Sequence, residues 1–433
     1  MTITKRLPII VSAVFEMLNT KHYAYAVLRN FEGLPYANKS RDIDILVKKK
    51  DYKSLKKDIT DCIIRNCYLI INYFESERLR TFICGKIEQG HVELVQFDFF
   101  IHTSAYGHII LTADEILQSR ICTNGVYHVS KEYEFLDKYL YLKYIGAKYP
   151  AKYNGLKEQM LLNDTLNAVL EKDFGIPSFA ELDKMSCSRF RTIANKKGNF
   201  GNIVSFWCYY LQNYFSYKGF SIGFTGPDGS GKTTVINELL NQLQTVFSQI
   251  ELYHFRPMII GNLGEVAHSA GLKKDVDREY DKPHRGGRTG VISSFLRLCY
   301  YSVDYIIGYQ KSVRPFLAKR GVVVFDRYYT DIICDSRRSR IYLNTKFLYW
   351  FGKWFIPSLD YNILLTASTK TILSRKQELD KKGIQDINNK IAYLAGKNGY
   401  YKIMNEGAPL DAVQAILKMI FEKRHEKNIK RLK

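Results

Sequence analysis

Apolar and polar positions follow two different periods along the chain. Asp42–Val47 (DIDILV) and 91–101 (HVELVQFDFFI) are short runs rich in β-branched and aromatic residues, which predict strands. Helical patterns alternate with such runs over residues 1–130, giving an α+β domain. Residues 131–215 are expected to form a mostly helical connecting region. Its segment EYEFLDKYLYLKYI, for example, repeats apolar residues at three- and four-residue spacing. The Gly- and Lys-rich KKGNFG at 196–201 predicts a turn or a loose linker. From Gly219 the pattern turns to strand, glycine loop and helix, which starts an α/β unit over 216–433 with a parallel sheet flanked by helices. The fold class expected is α/β, without internal repeats or long low-complexity segments.

Length and composition support two domains. The chain has 433 residues, 46% hydrophobic and 25% charged, as in soluble globular proteins. No apolar run is long enough to span a bilayer, and the most apolar stretch, 347–359, is short and contains Lys353. The basic N-terminus with its short apolar run lacks a small-residue cleavage site and meets Glu16 early, so a signal peptide is not expected. Eight cysteines without a CxxC pair or zinc spacing predict reduced thiols in a cytoplasmic protein. The net charge of +21 points to anionic partners: nucleotides, nucleic acid or an anionic membrane surface. No RNA-binding aromatic signature or helix-turn-helix accompanies it, so nucleic acid is not expected. The basic tail at 422–433 is read as a solvated helix end rather than a binding arm.

Candidate chemistry begins at a short β-prone run, 221–225, followed by Gly226-Pro227-Asp228-Gly229-Ser230-Gly231-Lys232-Thr233-Thr234 and a helical pattern. This fits G-x-x-x-x-G-K-[ST] at every fixed position. Glycines let backbone N–H groups turn inward around phosphates, and the helix N-terminus adds its positive dipole end. Lys232 would reach the β- and γ-phosphates of ATP, and Thr233 would offer its hydroxyl to Mg²⁺. A second apolar strand, 321–325, ends in Asp326-Arg327-Tyr328. A carboxylate at that end of a buried parallel strand sits beside a phosphate loop and can hold Mg²⁺, and Arg327 can clamp a phosphate oxygen.

These residues resemble the thymidylate kinase family of nucleoside monophosphate kinases over residues 219–425, about half the chain. The loop GPDGSGKTT has the family's form, and the resemblance implies that Asp228 helps orient the acceptor. Arg256, in YHFRP, resembles the family's phosphate-binding arginine, and Arg327 and Tyr328 complete the implied acceptor contacts. Arg375, in ILSRK, with the charged 377–390 after it, occupies the lid position, from which it would approach the transferring phosphoryl group. The segment 361–365 resembles a family strand, and 405–417 the closing strand and final helix. The implied activity is transfer of the ATP γ-phosphoryl group to a small-molecule acceptor, and the implied assembly is a homodimer. Three departures bear on the acceptor. Tyr305 stands where the family has an arginine, 275–288 looks like an insertion containing Pro283-His284-Arg285, and 327–338 is densely charged. His254 and His284 are read as acceptor contacts or structural histidines. A sugar or lipid-linked acceptor from surface-polysaccharide assembly, or a non-catalytic ATP-binding module, are the alternatives.

The N-terminal half carries Asp42 and Asp44 at i and i+2 on one strand, hence on one face, and Asp98 on a later strand. Same-face acids can chelate Mg²⁺. The arrangement resembles the nucleotidyltransferase superfamily, which implies a two-metal site. The family's Gly-Ser loop is absent, however, and Val27-Leu28-Arg29-Asn30 stands in its place.

Overall fold

The structure, a computed structural model, describes residues 5–88, 90–197, 200–216, 218–257, 289–376 and 379–432. It divides into two compact units, Met1–Gln212 with Phe421–Lys433, and Asn213–Ile420. The expected connecting region therefore has no unit of its own, and the end of the chain, expected with the second unit, belongs to the first. The reason is packing. Helix Lys131–Ile145 buries Tyr133, Phe135, Leu136, Tyr139 and Leu140 in one cluster with Ala26, Leu46 and Ile110.

Unit 1 contains strands β1 (Lys5–Arg6), β2 (Tyr25–Val27), β3 (Ala37–Asn38), β4 (Asp42–Val47), β5 (Leu69–Glu75), β6 (Leu79–Glu88), β7 (His91–Phe100), β8 (His102–Ala105), β9 (His108–Thr112), β10 (Ile121–Thr123) and β11 (Val126–His128). Seven of them form a mixed sheet in the order β10-β11-β2-β4-β7-β6-β5. Alternation along β4 sends Ile43, Ile45 and Val47 into one core, which includes Phe97 and Phe99. Leu46 enters the core on the opposite face, so Asp42 and Asp44 share that face.

The basic tail, expected as a solvated end, is solvated on one face only. Arg424 and Asn428 are buried, and their side chains donate to the carbonyls of Ile71 (2.6 Å) and Ile70 (3.2 Å), while His425 Nδ1 accepts from Ile70 N at 3.0 Å. The final helix thus satisfies the free backbone of β5, an edge strand that would otherwise stay unpaired.

Unit 2 is built on β12 (Phe220–Thr225), β13 (Ile250–His254), β14 (Val322–Asp326), β15 (Tyr361–Thr366) and β16 (Tyr400–Met404), all parallel, in the order β13-β14-β12-β15-β16. The three inner strands are buried along their whole length, as a sheet covered on both faces requires. The strand order reverses beside β12, so its C-terminal end opens at a crevice suited to ligands. In the segment 196–201, expected as a turn or a loose linker, Asn195–Lys197 forms a single 3-10 turn, 198–199 lie outside the described residues, and helix Phe200–Phe215 starts at its end. The insertion at 275–288, with His284, and residues 377–378 lie outside the described residues. Among the described residues, no helix is long and apolar enough to cross a membrane.

Candidate functional site

β12 runs into the glycine loop, and helix Lys232–Leu243 leaves it. Gly229 and Gly231 have φ of +87° and +85°, left-handed values that the loop's tight turn requires. Gly226 lies so close to the carbonyl of Leu365 that a β-carbon there would collide with it. Asn405, just past β16, donates to the Ser230 carbonyl at 2.8 Å and braces the loop from below. Lys232 is buried and curls back over the loop, donating to the carbonyls of Gly226 (2.8 Å) and Pro227 (3.0 Å). Burial, reinforced by nearby Arg327, pushes its ammonium down to about 8, although Asp228, Asp331 and Asp326 oppose the shift. Thr233 and Thr234 are exposed on the first helical turn, and the Ser230 hydroxyl is buried with no hydrogen-bond partner.

Asp326 closes β14 in register with Phe224 of β12 and His254 of β13. One carboxylate oxygen lies 3.2 Å from His254 Nδ1, and the other is buried and unpaired. Arg327 holds Asp331 with two hydrogen bonds of 2.9 and 3.0 Å and donates to Asp228 at 2.5 Å. Arg338 donates to the other oxygen of Asp228. Burial works against the Arg327 cation, but Asp331, Asp228 and Asp326 outweigh it and hold its pKa above the ordinary arginine value. Burial raises the Asp331 carboxyl, with Arg327 opposing.

Arg375 donates to the Asn405 carbonyl at 2.9 Å, and its guanidinium stands 3.8 Å from where a β-carbon on Gly231 would lie. Lys232, Asp228, Asp326, Arg327 and Arg375 thus gather around one loop. Arg256 and Tyr328 do not join them. Arg256 is 2% exposed, pairs with Asp304 at 3.1 Å and lies over the Tyr301 ring. Tyr328 is buried in the core and donates to the Pro357 carbonyl at 2.8 Å. Tyr305 is likewise buried, its hydroxyl donating to the Phe255 carbonyl at 3.2 Å. Sequence reasoning gave no role to Asp331 or Asn405, and took Arg338 only as one of several extra arginines suited to an anionic acceptor. The charged cluster at 327–338 carried a signal for Asp331 and Arg338, while Asn405 had none. A cavity of about 440 Å³ begins beside this network at Asp335 and is lined also by Arg337, Asn344, Asp386 and Lys390.

In unit 1, β4 and β7 run parallel with Asp44 opposite Asp98 and Asp42 opposite Gln96. Ligand oxygens of Asp42, Asp44 and Asp98 lie within 4.8 Å of one another. Asp42 accepts from Ser40 at 2.6 Å, and Asp98 accepts from Thr81 at 2.5 Å and from Gln96 at 2.9 Å. Arg29 donates to one oxygen of Asp44, whose other oxygen is buried and unpaired. Burial drives the Asp44 carboxyl up to about 7, with Asp42 and Asp98 adding to the shift and Arg29 opposing it. Arg29 therefore stands as an internal cation at the place where three carboxylates converge.

No family model matches the chain, and no curated protein matches it. Among solved structures, it is similar to the crystal structure of thymidylate kinase from Ehrlichia chaffeensis, with 16% identity over 47% of this chain and 98% of that chain and a TM-score of 0.31.

Proposed function

We propose that unit 2 is an ATP-dependent kinase that transfers the γ-phosphoryl group to a small anionic acceptor. The observation that carries this reading is the glycine loop curled around the buried Lys232, with Asp326 at the end of the adjacent parallel strand. A loop of inward-facing N–H groups at a helix N-terminus is an anion cradle. Lys232, now held by loop carbonyls, would exchange these for phosphate oxygens and neutralise charge as the phosphoryl group moves. The unpaired oxygen of Asp326 and the exposed Thr233 hydroxyl fit a magnesium ion, which when bound would offset the charge on the phosphates. Arg375 stands beside the loop to meet the transferring group. Asp228 holds both Arg327 and the more exposed Arg338 at the acceptor side, where these two arginines supply the positive charge. The closed Arg256–Asp304 pair favours an acceptor that is not gripped by Arg256.

The test is ATP consumption with Mg²⁺ against a panel of nucleoside monophosphates, dTMP first, then sugar phosphates. Stimulation by one acceptor is expected. ATP binding without stimulation by any of them would reduce unit 2 to an ATP-binding module.

A second reading concerns unit 1. We infer a divalent-cation site at Asp42, Asp44 and Asp98, supported by their 4.8 Å convergence and the unpaired buried oxygen of Asp44. Arg29 competes with the cation for Asp44.

A further inference from the structure

In unit 2, helix Thr345–Phe355 presents two unlike faces. Asn344 caps its start, accepting from Lys346 N at 2.9 Å and Phe347 N at 3.4 Å. Leu348 is fully buried, its carbonyl accepts from the Tyr329 hydroxyl at 2.8 Å, and Gly352 admits the Tyr329 ring so closely that a β-carbon would collide with it. Lys346, Trp350, Lys353 and Trp354 fall at i, i+4, i+7 and i+8, so they share the opposite face. There Trp350 is 50% exposed and Trp354 68%, and Phe355, at the helix end on the side of Leu348, is 51% exposed with its ring 6.0 Å from that of Trp350. Two of the chain's three tryptophans thus lie on one face of an eleven-residue helix. Lys353 Nζ lies 6.0 Å from the centre of the Trp354 ring.

The charged residues on this helix are Lys346 and Lys353, both exposed. The arginines before it are engaged elsewhere, Arg338 with Asp228 and Asp335 and Arg337 with Asp380. A second copy of the chain on this face would set the same patch against itself, since a two-fold interface is self-complementary, and would oppose like charges. The three half-exposed aromatic side chains offer on the order of 300–400 Å², well short of the roughly 800 Å² per partner of a stable interface. Tryptophan between lysines instead has the chemistry of a bilayer interface, where an amphipathic ring sits at headgroup depth and ammonium groups reach anionic phosphates.

We propose that helix Thr345–Phe355 docks unit 2 on an anionic phospholipid surface, with Trp350 and Trp354 entering the headgroup layer and Lys346 and Lys353 pairing with its phosphates. Duplex nucleic acid offers the same charge but no apolar layer for exposed tryptophans to enter, so phospholipid fits the face better.

The test is sedimentation of the full chain with vesicles of pure phosphatidylcholine or of phosphatidylcholine containing about a quarter phosphatidylglycerol, at low and moderate salt. Partitioning at least about tenfold stronger to the anionic vesicles is expected. Trp350→Ala with Trp354→Ala should lower it about tenfold or more, and Lys346→Gln with Lys353→Gln should weaken it and flatten its salt dependence. Circular dichroism melting checks that these variants stay folded. If the tryptophan variant unfolds, Trp207→Phe leaves Trp350 and Trp354 as the only indoles, and their emission should shift to the blue and be quenched by brominated lipid. Absence of partitioning or of quenching, or unchanged binding by the folded tryptophan variant, overturns the proposal. So does self-association that the tryptophan variant abolishes, or binding of duplex DNA without vesicle binding.

Discussion

Asp228 in the phosphate loop and Arg327 just past the end of β14 are joined by a 2.5 Å hydrogen bond between groups that are both nearly buried. The pair closes a chain of charge: Arg338 to Asp228, Asp228 to Arg327, and Arg327 to Asp331. Buried ions are tolerated only when each is paired, so this network fixes the loop against the strand end beside Lys232, which lies 3.9 Å from Asp228 and donates to the loop carbonyls.

Removing one member should expose that dependence. Asp228→Ala leaves Arg327 buried with one partner fewer, and a broken buried pair costs about 3 kcal/mol. For a unit of this size the melting temperature should fall by roughly 6–12 °C. Asp228→Asn, which keeps acceptor capacity, should lose less. Differential scanning calorimetry of the two variants checks the order, and equal melting temperatures for wild type and Asp228→Ala would refute it.

Gly226→Ala should damage the fold rather than only the chemistry, because its β-carbon meets the Leu365 carbonyl, a backbone atom that cannot swing aside. A loss of about 1–3 kcal/mol is expected from overpacking. Thr233→Ala, on an exposed hydroxyl, should leave stability within about 0.5 kcal/mol and weaken only the Mg²⁺ dependence of nucleotide binding. Urea titration followed by fluorescence separates the two behaviours, and an unaltered unfolding midpoint for Gly226→Ala would remove the packing claim.

Glu134 in unit 1 gives a pH signature. Burial, with Glu32 adding, drives its carboxyl up to about 7, against Arg29 and Lys131. The folded state then holds a proton that the unfolded state has released, so stability falls as pH rises from about 4.5 through 7. Glu134→Gln removes the cost of ionisation. Because the side chain is partly solvated, the gain at pH 8 should be about 1 kcal/mol, with little gain near pH 4. Melting curves at both pH values test this, and a gain independent of pH would contradict the assigned cause.

Arg29 and Asp44 make the corresponding case for cations. Replacing the internal guanidinium by Arg29→Gln should tighten Mn²⁺ binding to the Asp42, Asp44 and Asp98 cluster about tenfold, since an opposing charge leaves the site. Electron paramagnetic resonance titration of free Mn²⁺ reads the change. Asp98→Asn should abolish the site in either background, and Mn²⁺ binding unaffected by Asp98→Asn would place the cation elsewhere.

The chemistry-bearing strands were the most legible part of the sequence. DIDILV predicted β4 at its observed bounds, and the glycine loop lies between β12 and helix Lys232–Leu243 as its pattern implied. Both signals are local, one set by alternation and the other by glycine at left-handed positions. What escaped was tertiary. Nothing near Arg256 announces that Asp304, far along the chain, will close on it, and nothing in the basic tail announces that Arg424 will satisfy a strand edge. Tyr328 illustrates the same limit, because its polar handle is spent on Pro357 inside the core rather than on a ligand.

The central claim is that the loop around Lys232 holds the phosphates of ATP. Isothermal titration of ATP with Mg²⁺ into the wild-type chain and into Lys232→Ala tests it most directly. Saturable binding by the wild type, weakened at least about a hundredfold in a Lys232→Ala variant that still folds, is the result predicted from the loss of a buried charge-assisted contact. No binding by the wild type, or equal binding by both, would contradict the account.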